Sequence, residues 1–164
     1  MENYRNTNWV KWENRNKIEN IKYPGIYSIA VTDENIEGRQ FEMINEIEYI
    51  GMTNSNGGLR SRLSQFDSTI KRIRLNHGGA HRFIGKYWNY EEVKDKLYVS
   101  ICPFECGNNK SNTDDLIAMG EVAKAEYIFW IDYIKKHGRY PIFNDKNSSP
   151  KPNFISVSKE GILK

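Results

Sequence analysis

An α+β fold in one domain is predicted by two features of the 164-residue chain. Strand-length apolar runs recur in its first two-thirds, and two longer segments repeat apolar residues at helical spacing, with turn-forming clusters of Gly, Asn and Ser between them. The chain divides into an N-terminal arm over residues 1–20, a compact body over 21–146 and a tail over 147–164. No repeat and no second domain is visible.

The elements follow in order. Residues 1–20 carry Trp9 and Trp12 among polar neighbours, as a short helix or arm docking its tryptophans on the body would. Tyr23–Val31 reads as a first strand, with Pro24 tolerable at its start. Ile47–Thr53 reads as a second. Phe41, Met43 and Ile44 in the intervening Thr32–Glu46 suggest that the hairpin arms extend toward a loop near Asp33–Arg39. The turn cluster Met52–Gly58 leads into Leu59–Leu75, where Leu59, Leu63, Phe66, Ile70 and Ile73 fall on one helical stripe. Asn76–His81, with Gly78-Gly79, reads as a break, followed by a short aromatic and basic segment at Arg82–Tyr90. Lys96–Phe104 is a third strand. After a polar loop at Gly107–Asn112, Thr113 or Asp114 caps the strongest helix, which runs to His137. Lys135, Lys136 and His137 in the last turn, then Gly138 and Pro141, mark its end. Ser148–Pro152 reads as a linker, and Asn153–Ser158 as a late edge strand or ordered tail.

Mean hydropathy of −0.73 and 27% charged residues suit a chain in water, and no apolar run is long enough to span a bilayer. The N-terminus lacks the basic-then-apolar layout of a signal peptide, so a cytoplasmic location is expected. The net charge of +3 says little, but Leu59–Tyr90 holds seven cations (Arg60, Arg62, Lys71, Arg72, Arg74, Arg82 and Lys86) against one acid, Asp67. Such a stripe is either the footprint of a polyanion partner or a solvated helix face.

Several residues stand out chemically. Gly25-Ile26-Tyr27 and Tyr49-Ile50-Gly51 lie in the paired strands, so two phenols and two side-chain-free positions come close if the register is right. An ordinary hairpin with core tyrosines has the same pattern. Arg62 sits at the edge of the apolar stripe in the first turn after the Gly-rich cluster. Glu126 shares its helix face with Val122, Phe129 and Trp130, where an ionised carboxylate is costly unless a metal ion or an arginine pairs with it.

The order of these markers, with Asn144 just after the long helix, resembles the GIY-YIG nuclease family from about Tyr23 to Asn144. The resemblance implies a three-stranded antiparallel sheet flanked by helices and phosphodiester hydrolysis at one divalent ion, Mg²⁺ or Mn²⁺. By position it implies that Arg62 contacts the scissile phosphate, that Glu126 is the sole protein ligand of the metal, and that Tyr27 and Tyr49 position or deprotonate the attacking water. Gly25, Gly51 and Asn144 fall on the motif's structural positions. Arg60, Lys71, Arg72, Arg74, Arg82 and Lys86 are then candidate nucleic-acid contacts, most naturally to double-stranded DNA, with a homodimer as one way to cut both strands. The absence of a visible appended domain looks most like the restriction-type or small stand-alone members, with repair and mobile-element roles also represented in the family.

Three departures stand against the pattern. The Tyr27–Tyr49 spacing is long, which implies extended arms or an inserted DNA-contacting loop. Met52 follows the second glycine, where some members carry Lys. Phe66 stands one turn after Arg62, where many members have His or Tyr, and His77 and His81 are the candidates to replace that helper. Phe66 also favours the alternative of a non-catalytic nucleic-acid-binding module. His77 and His81 with Cys102 and Cys106 offer four zinc ligands, but Gly78-Gly79 and the strand-end position of the cysteines argue against a structural zinc.

Overall fold

The structure, a computed structural model, describes residues 4–153 and the backbone of 156–158 and 161–163. Its body is α+β. Strands β1 (Val10–Lys11), β2 (Gly25–Val31), β3 (Ile47–Thr53) and β4 (Leu97–Pro103) form one sheet in the order β1-β4-β2-β3, antiparallel throughout. The expected three strands are therefore four. The arm supplies the extra one, pairing Val10 with Val99 and Lys11 with Tyr98 along the otherwise open edge of β4.

Helices cover both faces. On one lie a 3₁₀ helix (Trp12–Lys17), α1 (Gly58–Ile70) and α2 (Gly78–Lys86). Their core joins Trp12, Leu59, Leu63, Phe66, Phe83 and Phe143 to Tyr27, Ile29, Val99 and Ile101 of the sheet. The opposite face takes the long α4 (Thr113–His137), whose Val122, Ala125, Phe129 and Tyr133 pack on Ile26, Ala30, Ile50 and Cys102. The alternation of side chains along β2 feeds these two cores separately. A short α3 (Tyr90–Val93) precedes β4. Among the described residues, no helix is long and apolar enough to cross a membrane.

The arm is held by polar as well as apolar contacts. Trp9 and Trp12 are buried, and Trp12 Nε1 donates to Asp67 Oδ1 on α1 at 2.8 Å. Arg15 and Lys71 pair with the other oxygen of the same carboxylate at 3.0 and 2.8 Å.

Several boundaries differ from the sequence reading. The hairpin has no extended arms: β2 ends at Val31, and β3 starts at Ile47. Phe41, Met43 and Ile44 are apolar because they pack as coil on the α4 side of the sheet. His137 Nε2 lies 2.7 Å from the Met43 carbonyl, and Tyr133 Oη donates to the Asn45 carbonyl at 2.9 Å, so the loop is clamped to α4. Helix α1 stops at Ile70, five residues before Leu75. Arg72 takes a left-handed φ of 60°, and Ser68 and Thr69 hydroxyls bond back to the Gln65 carbonyl, offering the backbone a way out of the helix. Ile73 and Leu75 are consequently exposed. The Gly78-Gly79 pair begins α2 rather than breaking a helix. The cap of α4 is Asn112, whose Oδ1 accepts from the Asp114 and Asp115 amides at 2.9 and 3.3 Å.

The tail also departs from a free linker. Ser149 is buried and donates to the Ile142 carbonyl at 2.8 Å. Beyond it, β5 (Ser156–Ser158) pairs with β6 (Gly161–Leu163) in a separate two-stranded sheet, not as an edge of the main one. Phe154 and Ile155, which the sequence reading also placed in that segment, lie outside the described residues.

Breaking the triple junction at Asp67 leaves the Trp12 indole N–H without its acceptor and removes the carboxylate shared by the mostly buried Arg15 and the half-exposed Lys71. Asp67→Ala is expected to lower unfolding stability by about 3 kcal/mol in urea titrations followed by tryptophan fluorescence. A loss below about 0.5 kcal/mol would show that the arm is held by its apolar contacts alone.

Candidate active site

The β2–β3 register sets Tyr27 opposite Gly51 and Ile29 opposite Tyr49. The missing side chain at Gly51 is what lets the phenols sit together. A Cβ there would stand 2.5 Å from Tyr27 Oη and 2.8 Å from the Tyr49 ring. The two rings lie tilted, with centroids 5.9 Å apart. At Gly79, the second residue of α2, a Cβ would collide with the Tyr49 ring, so the helix start is pressed directly on that phenol.

This close approach delivers His77. It is the N-cap of α2, 1% exposed, and its Nδ1 accepts the Ala80 amide at 3.2 Å. Its Nε2 lies 2.6 Å from Tyr27 Oη. Burial, with the Arg62 charge beside it, lowers the imidazole pKa to about 3, so the ring is neutral. A neutral ring whose Nδ1 accepts carries its proton on Nε2, and His77 therefore donates to the Tyr27 oxygen. Phe66 does not leave a hole in this arrangement. It packs against the His77 ring at 5.0 Å and the Tyr49 ring at 6.0 Å, and so holds the imidazole in place from below. Of the two histidines the sequence offered, His81 turns away, with Nε2 3.2 Å from the Pro152 carbonyl in the tail.

Arg62 projects from the first turns of α1. The helix start is fixed by main-chain bonds from Leu59 and Arg60 amides to the Tyr23 and Ile21 carbonyls, at 2.9 and 2.7 Å. One guanidinium nitrogen of Arg62 donates to Gln65 Oε1 at 2.9 Å, but its Nε is buried with no acceptor. Burial raises the pKa of both Tyr27 and Tyr49, and the Arg62 cation opposes that rise at each. Arg82 on α2 also favours the Tyr49 phenolate, and its own Nε is likewise buried without an acceptor. Among the described residues, two guanidinium Nε donors near the phenols thus lack partners.

Glu126 lies midway along α4, one turn before Trp130, whose Nε1 donates to the Ile50 carbonyl at 3.3 Å. That bond ties this part of α4 to the outer edge of β3, next to Tyr49 and Gly51. Burial pushes the Glu126 carboxyl up to about 7, and the Arg62 charge only partly offsets it. No ion pair or hydrogen bond satisfies this carboxylate among the described residues. Asn144 completes the edge: its Oδ1 accepts the Ile50 amide at 2.8 Å and its Nδ2 donates to the Ile50 carbonyl at 2.7 Å. The side-chain amide acts as a surrogate strand and fixes the backbone between Tyr49 and Gly51. Gly25, by contrast, opens β2 opposite Thr53 and Pro103.

The six basic candidates scatter. Lys71 is paired with Asp67, Lys86 with Glu48 at 2.7 Å, and Arg72 stacks on Trp88 at 4.2 Å. Arg60 and Arg74 are exposed, and Arg82 flanks the phenols. The Met52 side chain, half-buried, belongs to the α4 side of the sheet. Gln65, which orients Arg62, and Lys151 in the tail, near Gly78, were not singled out from the sequence. Gln65 stands one turn after Arg62 on the same helix, a spacing visible in the sequence, whereas Lys151 depends on a tertiary neighbour.

Among the described residues, no group of three or more His, Cys, Asp or Glu is arranged to hold a metal. The four zinc ligands considered from sequence are divided by the sheet: His77 packs with Tyr27, whereas Cys102 pairs with Ile26 and lies in the opposite core. Glu126 alone fits only a hard cation that takes its remaining ligands from water and substrate. Compared with family models, curated proteins and solved structures, the chain matches none.

Glu126 is held against its own ionisation. The unfolded chain releases this proton near pH 4.5, the folded chain near 7, so between them the folded state binds more protons. Stability from this group therefore falls as pH rises from 4.5 to 7 and stays low above. Glu126→Gln is expected to raise the melting temperature relative to wild type at pH 8 and to lose that advantage at pH 4.5. Parallel pH profiles for the two proteins would contradict this.

Proposed function

We propose that the chain is a divalent-metal-dependent endonuclease that hydrolyses DNA phosphodiester bonds through a site of GIY-YIG type. One observation supports the reading: four elements bring Tyr27, Tyr49, Arg62 and Glu126 within electrostatic reach of one another, and among the described residues the Arg62 Nε and the Glu126 carboxylate make no hydrogen bond or ion pair. The GIY-YIG-like reading of the fold rests on the same order of markers, with β1 as an addition to the three-stranded pattern.

In this mechanism Arg62, steadied by Gln65, binds the scissile phosphate, and its fork neutralises charge that builds on the equatorial oxygens. Glu126 would hold Mg²⁺ or Mn²⁺, and that ion, when bound, would supply Lewis-acid chemistry to the leaving group. Tyr27 and Tyr49 hold the attacking water. Because His77 donates to the Tyr27 oxygen, a phenolate formed there is stabilised by that bond and by the Arg62 charge, against the cost of burial. Tyr27 acts on the water as the phenolate, its own proton having first passed to solvent, and returns to the phenol on taking the water's proton; His77 acts as its positioning residue. One centre cuts one strand, so a clean double-strand cut requires two copies or two successive events.

Arg62→Ala and Glu126→Ala are each expected to reduce Mg²⁺-dependent plasmid nicking by about 10²-fold or more while leaving the fold intact by circular dichroism. Retained nicking in Glu126→Ala would remove it as the metal ligand. Since the carboxylate must be ionised to bind a cation, the Mg²⁺ concentration for half-maximal activity should rise as pH falls below about 7. For His77→Gln, slower nicking with its ascending limb displaced to higher pH is expected; an unshifted profile would reduce His77 to a helix cap.

A second reading, a nucleic-acid-binding module without catalysis, is favoured by Phe66 in place of a polar helper. Binding that weakens steeply with salt, with no strand breaks in Mg²⁺ or Mn²⁺, would select it.

A further inference from the structure

Ser148–Pro152 reads as a linker in sequence, but its contacts lay it along α2. Ser149 is buried and anchors the start of this strap on the Ile142 carbonyl. His81 Nε2 donates to the Pro152 carbonyl at 3.2 Å. A Cβ at Gly85 would stand 3.6 Å from Pro152 Cδ and 3.7 Å from the Pro150 carbonyl oxygen, so the strap follows the face of α2 that carries His81 and Gly85. Proline on either side of Lys151 fixes φ at both positions and keeps Lys151 out of the helical region, which orders its backbone before any ligand arrives.

Lys151 is thereby set beside Arg82. At Gly78, one turn before Arg82 on α2, a Cβ would stand 3.9 Å from Lys151 Nζ and 4.0 Å from Arg82 Nη1, with nothing nearer beyond its chain neighbours. Gly78 has no positive φ and no contact that excludes a side chain, so neither backbone nor packing calls for glycine there. What the glycine leaves is open floor between two cations. Arg82 Nη1 donates to the Gly78 carbonyl at 3.2 Å, and Lys151 makes no hydrogen bond or ion pair among the described residues. Burial lowers the His81 pKa, the Pro152 carbonyl opposes this, and the Lys151 and Arg82 charges lower it further; no carboxylate is among the groups acting on it.

The pair also adjoins the phenols. His77 and Gly79, the neighbours of Gly78, meet Tyr27 and Tyr49. A Cβ at Gly79 would stand 2.9 Å from Tyr49 Oη, which places Lys151 Nζ within roughly 14 Å of that oxygen. At about 3.4 Å of rise per nucleotide along one strand, this is a reach of at most roughly four nucleotides.

We propose that Arg82 and Lys151 clamp a backbone phosphate flanking the scissile one, and that the Ser148–Pro152 strap exists to bring the second cation to α2. The clamp rests on the endonuclease reading for the position of the cut. The guanidinium offers a fork to two phosphate oxygens and the ammonium a point charge to one, so the two complement each other on one group. Contacts of this kind set register along the strand and carry no base preference.

The test uses the full chain on duplexes that carry one neutral methylphosphonate at a time in place of a backbone phosphate. Binding is measured in Ca²⁺ against salt concentration, and cutting in Mg²⁺ at each bond. Wild type is expected to cut about fivefold more slowly where the methylphosphonate falls at one fixed offset, within about four nucleotides of the bond. Lys151→Ala, an exposed position outside both cores, should lose most of that penalty. It should raise KM about fivefold with kcat unchanged, and its slope of log affinity against log salt should be shallower by about 0.9. Lys151→Arg should restore both. An unchanged salt slope in Lys151→Ala, or the absence of a fixed offset in a wild type that cuts, would overturn the clamp. The two readings fail separately. Wild type that binds with a Lys151-dependent slope but cuts nothing supports the clamp and refutes the hydrolase. Wild type that cuts with slope and offset unmoved by Lys151→Ala refutes the clamp and keeps the hydrolase. Absence of any nucleic-acid binding refutes both.

Discussion

A phenol cannot cross an antiparallel ladder if the residue opposite it carries a side chain, and Tyr27 crosses at Gly51. Everything at the site depends on that vacancy. It lets Tyr27 and Tyr49 share one end of the sheet, and Tyr49 in turn presses on Gly79, which fixes where α2 begins. The start of α2 carries His77 as its cap, and the cap delivers an imidazole N–H to the Tyr27 oxygen. Asn144 holds the same strand from outside by taking both main-chain groups of Ile50. A shift of one residue in register would turn Tyr27 into the α4 core and dismantle the chain of contacts.

The site is costly to the fold. Burial opposes ionisation of Tyr27, Tyr49 and Glu126, and the one nearby cation that offsets it at all three, Arg62, has an unsatisfied donor of its own. Such frustration contrasts with the junction at Asp67, where an indole, a guanidinium and an ammonium all meet one carboxylate. Ion pairs and an indole hydrogen bond fasten the arm to the body at Asp67, while the charged groups around the phenols, Arg62 and Glu126, are left without an ion pair among the described residues. A mixed fate also befell the basic stripe. Lys71 and Lys86 are held by carboxylates and Arg72 by an indole, so fewer cations face outward than the count suggested.

Strand cores, the buried part of the α1 stripe and the C-terminal end of α4 were legible because each is set by a local period or a terminal residue, whereas the α4 cap is Asn112 and not Thr113 or Asp114. Leu59, Leu63, Phe66 and Ile70 are buried at the spacing that named them, and Gly138 takes the left-handed conformation that closes α4. Misreadings came where apolar residues serve another partner. Phe41 and Met43 looked like strand because they are apolar, yet they pack as coil on α4. Gly78-Gly79 looked like a breaker because glycine disfavours helix, yet contact with Tyr49 makes a side chain at Gly79 impossible. The strand at Val10–Lys11 was invisible, since two residues carry no period.

From sequence alone, the chain determined its fold class, the placement of Tyr27 and Tyr49 in adjacent strands, and the presence of Arg62 and Glu126 at the edges of apolar faces. Each of those follows from spacing within one element or one hairpin. Only the tertiary structure decided that His77 rather than His81 meets the phenols, which imidazole nitrogen carries the proton, and that Glu126 finds no partner among the described residues. Those outcomes depend on how α2 and α4 are placed against the sheet, and distances between elements far apart in the chain leave no local trace.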